Sequence, residues 1–118
     1  MINSSLKQLS GQLAAKKISS VELTQLYLDR INRLNPDLNA YITLNAETSL
    51  SQARAADARL AQGKGEALTG IPLAQKDIFC AKGWRTTCGS KMLETFISPY
   101  DAHVITRCND AGAVNLGK

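Results

Sequence analysis

The sequence contains one histidine, His103, and three cysteines, Cys80, Cys88 and Cys108. A structural zinc site needs about four Cys or His ligands, usually with one pair spaced as C-x-x-C, and no such pair is present here. An odd number of cysteines at irregular intervals does not fit a disulfide framework either. We therefore expect no metal site in this chain, and three reduced thiols, as in a cytoplasmic protein.

Long apolar runs are also lacking, and no stretch approaches the length needed to span a membrane. The first residues, Met1–Leu9, show no basic region followed by an apolar core, so we expect no signal peptide. Net charge is only +4, with a pI of about 9.1. This mild basicity would suit a nucleic-acid partner, but a solvated surface is the preferred interpretation because the basic residues are scattered. They include Lys16, Lys17, Arg54, Arg59, Lys64, Arg85, Lys91 and Arg107.

Helical and strand patterns alternate along the chain, which predicts an α/β fold. The first helix is expected over 6–16, and the second begins at a capping box, Ser19 to Glu22, and stops at Asn35-Pro36. An alanine-rich helix is expected over 47–62, ended by glycines, and a last helix over 101–110, capped by Asp101. The predicted strands cover 39–44, 68–74 and 113–116.

The length of 118 residues suits one small domain but is short for a catalytic α/β fold with a deep pocket. The division we expect is a helical lead-in over about 4–35 and the start of an α/β core over about 39–118. The sequence stops directly after a predicted strand, without a closing helix. This organisation predicts a fragment of a fold rather than an entire fold.

Lys76 and Asp77 interrupt a segment, 69–79, that is otherwise suited to burial. Lysine is rarely buried unless it is paired or functional. One interpretation is a strand end where Lys76 reaches solvent and Asp77 pairs with it or caps a turn. The other is a desolvated lysine that acts as a base, which costs roughly 4–5 kcal/mol for a shift from pKa 10.4 to near 7. The local pattern leaves both open.

The segment over 83–93 is rich in glycine and hydroxyl side chains, and could present oxygens and amides to a ligand or simply bond its own backbone. Ser90 lacks the G-x-S-x-G context of a nucleophile, and Cys80 or Cys88 would depend on the single histidine. Gly117-Lys118 resembles the end of a phosphate-binding loop, but the upstream glycine at the required spacing is absent. These residues are therefore weak candidates.

Several motifs together resemble the amidase-signature family. The segment Gly70–Asp77 is similar to that family's lysine motif, so the resemblance assigns Lys76 as the catalytic lysine. Later segments are most similar to the glutaminase subunits of tRNA-dependent amidotransferases. Two residues depart from the pattern, His103 and Asn115, the latter a polar residue in a predicted apolar strand. The supporting segments are Phe79–Gly83, Thr86–Leu93, Pro99–Ala102 and Ala111–Lys118.

The resemblance implies the N-terminal part of an amidase-signature fold, with helices packed on a mixed β-sheet. It also implies a Ser–cis-Ser–Lys triad whose two serines lie beyond residue 118, so that Lys76 alone is carried by this sequence. The implied reaction is glutamine hydrolysis that supplies ammonia for amidating Glu-tRNA or Asp-tRNA. No cofactor is expected in this chain. ATP and Mg would be used by a partner subunit, which would also bind most of the mischarged tRNA.

The expected assembly is with amidotransferase subunits B and C. Two alternatives stay open. One is a different amidase-signature hydrolase that acts on a small or lipid amide. The other is a non-catalytic, truncated module that only binds partners.

Overall fold

Three helices precede the first strand, and a fourth helix lies between the two strands. The computed structural model describes all 118 residues, 1–118. The remaining regular element is a short 3₁₀ turn, Lys91–Leu93. The helices are α1 (Leu6–Ala14), α2 (Ser20–Leu38), α3 (Ala46–Ala61) and α4 (His103–Asp110), and the strands are β1 (Pro72–Ala74) and β2 (Val114–Gly117). None of the helices is long and apolar enough to cross a membrane.

The capping box predicted at the start of α2 is present. Ser19 accepts a hydrogen bond from the Glu22 amide at 3.1 Å, and the Glu22 carboxylate accepts one from the Ser19 amide at 2.9 Å. A second capping contact comes from α3, where the Asp57 carboxylate accepts hydrogen bonds from the free amides of Ser20 and Val21 at 2.6 and 3.1 Å. The N-terminus of α2 is thus capped both locally and by a neighbouring helix, whose negative charge suits the helix dipole.

The predicted stop of α2 at Asn35-Pro36 is wrong, because the helix continues to Leu38. Pro36 removes only one backbone hydrogen bond when it lies in the last turn, and the Asn39 amide still bonds the Asn35 carbonyl at 2.8 Å. The helix ends instead at Asn39, whose left-handed conformation (φ 52°) is typical of a helix C-terminus.

The predicted helix cap at Asp101 is also wrong. Ala102 precedes α4 and makes no side-chain cap, while the Asp101 carboxylate accepts the Lys82 amide at 2.6 Å. Asp101 therefore ties the start of α4 to an earlier loop. His103, the first residue of α4, is exposed.

The two strands pair in parallel, with Pro72 opposite Val114 and Leu73 opposite Asn115. The strand predicted over 68–74 is reduced to its last three residues, and Pro72 takes the first strand position, where its missing amide is tolerated. The strand predicted over 39–44 forms only an isolated antiparallel bridge, Leu44 to Gly117. Backbone bonds still join this segment to the end of β2, since Lys118 exchanges bonds of 2.9 and 3.0 Å with Thr43.

Small apolar clusters, rather than one large core, hold these elements together. Helices α1 and α2 meet β1 around Leu9, Leu13, Leu23 and Ile71, and α2 meets β2 around Leu28, Ile31 and Leu116. The third cluster, Ala81, Trp84 and Ile105, joins α4 to the loop after β1.

Asn115 shows how a polar residue fits in the buried strand β2. Its side-chain oxygen accepts the Gly117 amide at 3.1 Å, and its own amide donates to the Gln52 side chain at 2.8 Å. Its carbonyl accepts the Ser49 hydroxyl at 2.6 Å. The bond to the Gly117 amide satisfies the buried side-chain oxygen, and the two bonds to α3 satisfy the backbone of Asn115. The α/β class predicted from the sequence is confirmed.

Candidate active site

Lys76 lies just after β1, at the carboxyl end of the parallel strand pair. The preceding amide, of Gln75, donates to the Gly117 carbonyl at 3.0 Å and so continues the pairing with β2. The Phe79 amide then donates to the Lys76 carbonyl at 3.1 Å, which closes a turn over residues 76–79. The Lys76 side chain is exposed on this turn. Side chains at the carboxyl ends of parallel strands are well placed to meet a ligand.

Asp77 points the other way, into the protein, with a side chain only 8% exposed. Its Oδ2 accepts the Thr87 amide at 3.0 Å and the Thr87 hydroxyl as well. Its backbone carbonyl accepts the Cys88 amide at 3.0 Å. Asp77 thus fixes the turn to the segment at 86–88, and the suggested pairing of Asp77 with Lys76 is wrong because its partner is a different lysine.

That partner is Lys118, whose side chain is fully buried (0% exposed). Its Nζ donates to the Phe79 carbonyl at 2.7 Å and to Thr86 Oγ1 at 2.6 Å, and lies 3.4 Å from Asp77 Oδ1. An ammonium has three protons and no free lone pair. With three oxygens around it, the Lys118 side chain joins the end of β2 to the Lys76 turn and to Thr86.

Three other candidates from the sequence lie close to the turn in the chain. Ser90 accepts the Met92 amide at 3.3 Å and caps the 3₁₀ turn, so it bonds its own backbone. Cys88 is exposed and has φ of 53°. Hydrogen bonds from the Tyr100 and Ser98 hydroxyls lower the pKa of the Cys80 thiol, and the positive charge of Lys118 lowers it further. The hydrogen bond between Tyr100 and Cys80 in turn raises the pKa of Tyr100.

No group of three or more His, Cys, Asp or Glu side chains is close enough to hold a metal ion. The residues that sequence reasoning missed are Lys118, Thr86 and Thr87. Their sequence signals were the hydroxyl-rich segment over 83–93 and a lysine placed directly after an apolar strand, at Gly117-Lys118. A buried lysine there needs an acidic partner, and the sequence offered no means of choosing Asp77.

Comparison with known proteins gives a consistent family. Residues 22–118 match the family model described as Amidase. The chain is 72% identical over its whole length to a protein of Methylobacillus flagellatus named as the A subunit of glutamyl-tRNA(Gln) amidotransferase, and 67% identical to the protein of that name in Nitrosospira multiformis. It covers 24% of each, so the chain spans about a quarter of the length of these relatives.

Solved structures agree with this. The native peptide amidase of Stenotrophomonas maltophilia superimposes on 98% of the chain with a TM-score of 0.92 and 38% identity, and the chain covers 24% of that enzyme. A bacterial aryl acylamidase described as an amidase-signature enzyme matches 97% of the chain with a TM-score of 0.86 and 25% identity, again over 24% of its own length.

Proposed function

The chain belongs to the amidase family, and we propose that it is part of the glutamine-hydrolysing component of a tRNA-dependent amidotransferase, to which it contributes the catalytic lysine, Lys76. The observation that carries this proposal is the 72% identity, over every residue of the chain, to a protein named as the A subunit of glutamyl-tRNA(Gln) amidotransferase. The placement of Lys76 supports its role. Its side chain is free of intramolecular partners and stands on a turn anchored from behind by buried Asp77.

In this proposal, a neutral Lys76 accepts a proton from a bridging serine, which in turn takes the proton of a nucleophilic serine. Both serines come from parts of the full-length protein outside these 118 residues. The nucleophile attacks the side-chain amide carbon of glutamine, and the proton passed to Lys76 returns to the leaving nitrogen. Ammonia departs, and water hydrolyses the acyl-enzyme to release glutamate.

The ammonia is then used by partner subunits, the expected B and C components. There, ATP and Mg activate glutamate or aspartate that is carried on a mischarged tRNA. Most tRNA contacts are assigned to the partner, in keeping with the scattered basic residues of this chain. The cytoplasm is the compartment that this role in translation requires.

The direct test is Lys76→Ala in the full-length protein within its complex. We expect glutamine hydrolysis to fall by at least about 100-fold, because a positioned base contributes that much or more. Ammonia release measures the reaction, and the thermal melt should not change. Lys82→Ala is the matched control, since Lys82 is also exposed and near in sequence. Turnover that survives Lys76→Ala would refute the assignment.

A second candidate is an amidase-family hydrolase that works alone, which the likeness to a peptide amidase favours. The two differ in their dependence on partners. A solitary hydrolase cleaves its amide without any other protein, whereas the amidotransferase forms amidated tRNA only when its partner subunits, ATP and tRNA are present. Measuring ammonia release and tRNA amidation with and without partners separates them.

A further inference from the structure

Two residues that follow the exposed Lys76 hold its turn by contacts with the rest of the protein. Asp77, the next residue, bonds Thr87 through Oδ2 and the Cys88 amide through its carbonyl. Phe79, the last residue of the turn, gives its carbonyl to Lys118 Nζ at 2.7 Å. Lys118 Nζ also lies 3.4 Å from Asp77 Oδ1, so one ammonium contacts two residues of the turn.

Lys118 is itself held firmly. Its backbone amide donates to the Thr43 carbonyl at 2.9 Å, and its carbonyl accepts the amides of Ile42 and Thr43 at 2.7 and 3.0 Å. It follows β2 directly, and its side chain is completely buried. The ammonium is therefore attached to a fixed backbone, while the Lys76 turn has no further strand bonds beyond Gln75. Movement of the turn would have to break the contacts to Lys118.

From this geometry we propose that Lys118, through its buried ion pair with Asp77 and its bond to Phe79, is a positioning residue for Lys76. The inference rests on the proposed function, because it gives Lys118 a part in the same reaction. Lys118 neither touches the substrate nor exchanges protons. It sets the backbone from which the catalytic lysine extends, and a displacement of about 1 Å at a reacting group can cost on the order of 100-fold in rate.

Stability alone does not account for such a pair. Replacing a buried ion pair by uncharged groups of similar volume is often neutral or stabilising, whereas removing one partner leaves an uncompensated charge and is strongly destabilising. The two effects can therefore be separated. A variant that removes both charges leaves no uncompensated charge, but it loses the attraction that draws Asp77 and the turn toward Lys118.

The decisive variant is Lys118→Met combined with Asp77→Asn, made in the full-length protein within its complex. The asparagine side chain keeps an oxygen for the Thr87 amide, and the methionine side chain fills the space of the lysine stem. We expect kcat for glutamine hydrolysis to fall on the order of 100-fold, with KM for glutamine within about twofold, since binding does not use Lys118. Lys91→Met, which removes an exposed lysine, is the control and should leave both constants unchanged.

Hydrogen exchange gives a readout that does not depend on activity. The amides of Phe79 and Cys88 are bonded within the turn and the segment that holds it, so they should exchange faster in the double variant while α2 stays protected. If the double variant does not fold, Thr86→Val decides, because it removes one acceptor of Lys118 without changing charge. It should lower kcat by less than the roughly 100-fold expected of the double variant, again at constant KM.

A kcat equal to that of the wild type overturns the proposal. The kcat is that of the double variant or, if the double variant does not fold, that of Thr86→Val. A loss of activity that only follows the loss of folded protein also overturns the proposal. These outcomes differ from a failure of the proposed function, in which the wild-type complex releases no ammonia from glutamine or Lys76→Ala retains the activity. If the wild type hydrolyses glutamine, Lys76→Ala does not, and the double variant is unaffected, only the positioning role of Lys118 is refuted.

Discussion

At the scale of single residues, the sequence predicted Lys76 as the catalytic lysine but gave no sign of which residues hold its turn. Lys76 was recognisable because its neighbours form a contiguous motif, Gly70–Asp77. Lys118 was not, because the groups that make its burial tolerable are Asp77, Phe79 and Thr86, which only the folded chain brings near it. Local patterns carry no information on such distant pairings.

The role of Asp57 in capping a helix also depends on a pairing between residues that are distant in the sequence. In the sequence it is one polar residue on the alanine-rich helix α3, yet in the fold its carboxylate accepts two amides at the start of α2. The local half of that cap, Ser19 with Glu22, was predicted because both residues lie within one turn. Caps within a turn can be read from sequence, and caps between helices cannot.

Glu22 provides a prediction on pH. The Ser19 amide, and then the Ser19 hydroxyl, bond its carboxylate and hold its pKa below 4.5. Because the pKa is lower in the folded state, its stabilising contribution is present above pH 4.5 and is lost as the pH falls through the folded-state pKa. We expect Glu22→Gln to destabilise the protein near neutral pH and to differ little from wild type in acid.

Denaturant unfolding of the full-length protein near neutral pH, and again well below pH 4.5, measures this. Glu47→Gln is a suitable control, since Glu47 lies in the first turn of α3, where Asn45 alone supplies the cap. A destabilisation by Glu22→Gln that is the same at both pH values would show that the charge of Glu22 is not involved.

At the scale of elements, helices were predicted better than strands. Each helix extends over at least eight residues and shows its apolar spacing and, in α1 and α2, a capping box. The strands have only three and four residues, too few for a pattern to give their ends. Segment 39–44 was predicted as a strand because its residues favour extended structure, but its pairing is limited to bonds with the end of β2.

Gly117 is the element-level position where substitution should cost most. It has φ of 155°, and a Cβ there would lie 2.6 Å from the Thr43 carbonyl oxygen and 2.8 Å from a Leu44 methyl. We expect Gly117→Ala to destabilise the protein by about 1–3 kcal/mol, because backbone must shift to admit the methyl group. The same shift moves Lys118, so the glutamine hydrolysis proposed for the full-length protein should fall as well.

Gly11→Ala is the matched control for this substitution. Gly11 lies within α1, and a Cβ there meets nothing within 4 Å. Alanine should stabilise the protein by about 0.5–1 kcal/mol at that position, since glycine is unfavourable inside a helix. Thermal melts of the two full-length variants measure both effects, and a Gly117→Ala protein as stable as wild type would contradict the described packing at the end of β2.

At the scale of the whole molecule, the chain forms a thin layer rather than a closed body. Its extents are 45 × 31 × 22 Å, and its buried apolar residues form small separate clusters instead of one core. The two-stranded sheet has helices packed against it but few strands to extend it. The α/β class was predictable because helical and strand patterns alternate along the sequence. The thin shape was not predictable, because it depends on how many neighbouring strands each strand pairs with.

The exposed apolar side chains allow a prediction about the isolated chain. Between residues 78 and 100 these are Ile78, Phe79, Met92, Phe96, Ile97 and Tyr100, from 37% to 91% exposed. Exposed apolar surface of this kind promotes association. We expect the purified 118-residue chain to self-associate in a concentration-dependent way, measured by light scattering on a sizing column.

The double substitution Ile78→Ser with Met92→Ser should shift the chain toward monomer. The control Leu38→Ser, which alters an exposed leucine at the end of α2, should not. A monomer with a sharp cooperative melt would contradict the expectation, because it would mean that these side chains are covered within a single chain.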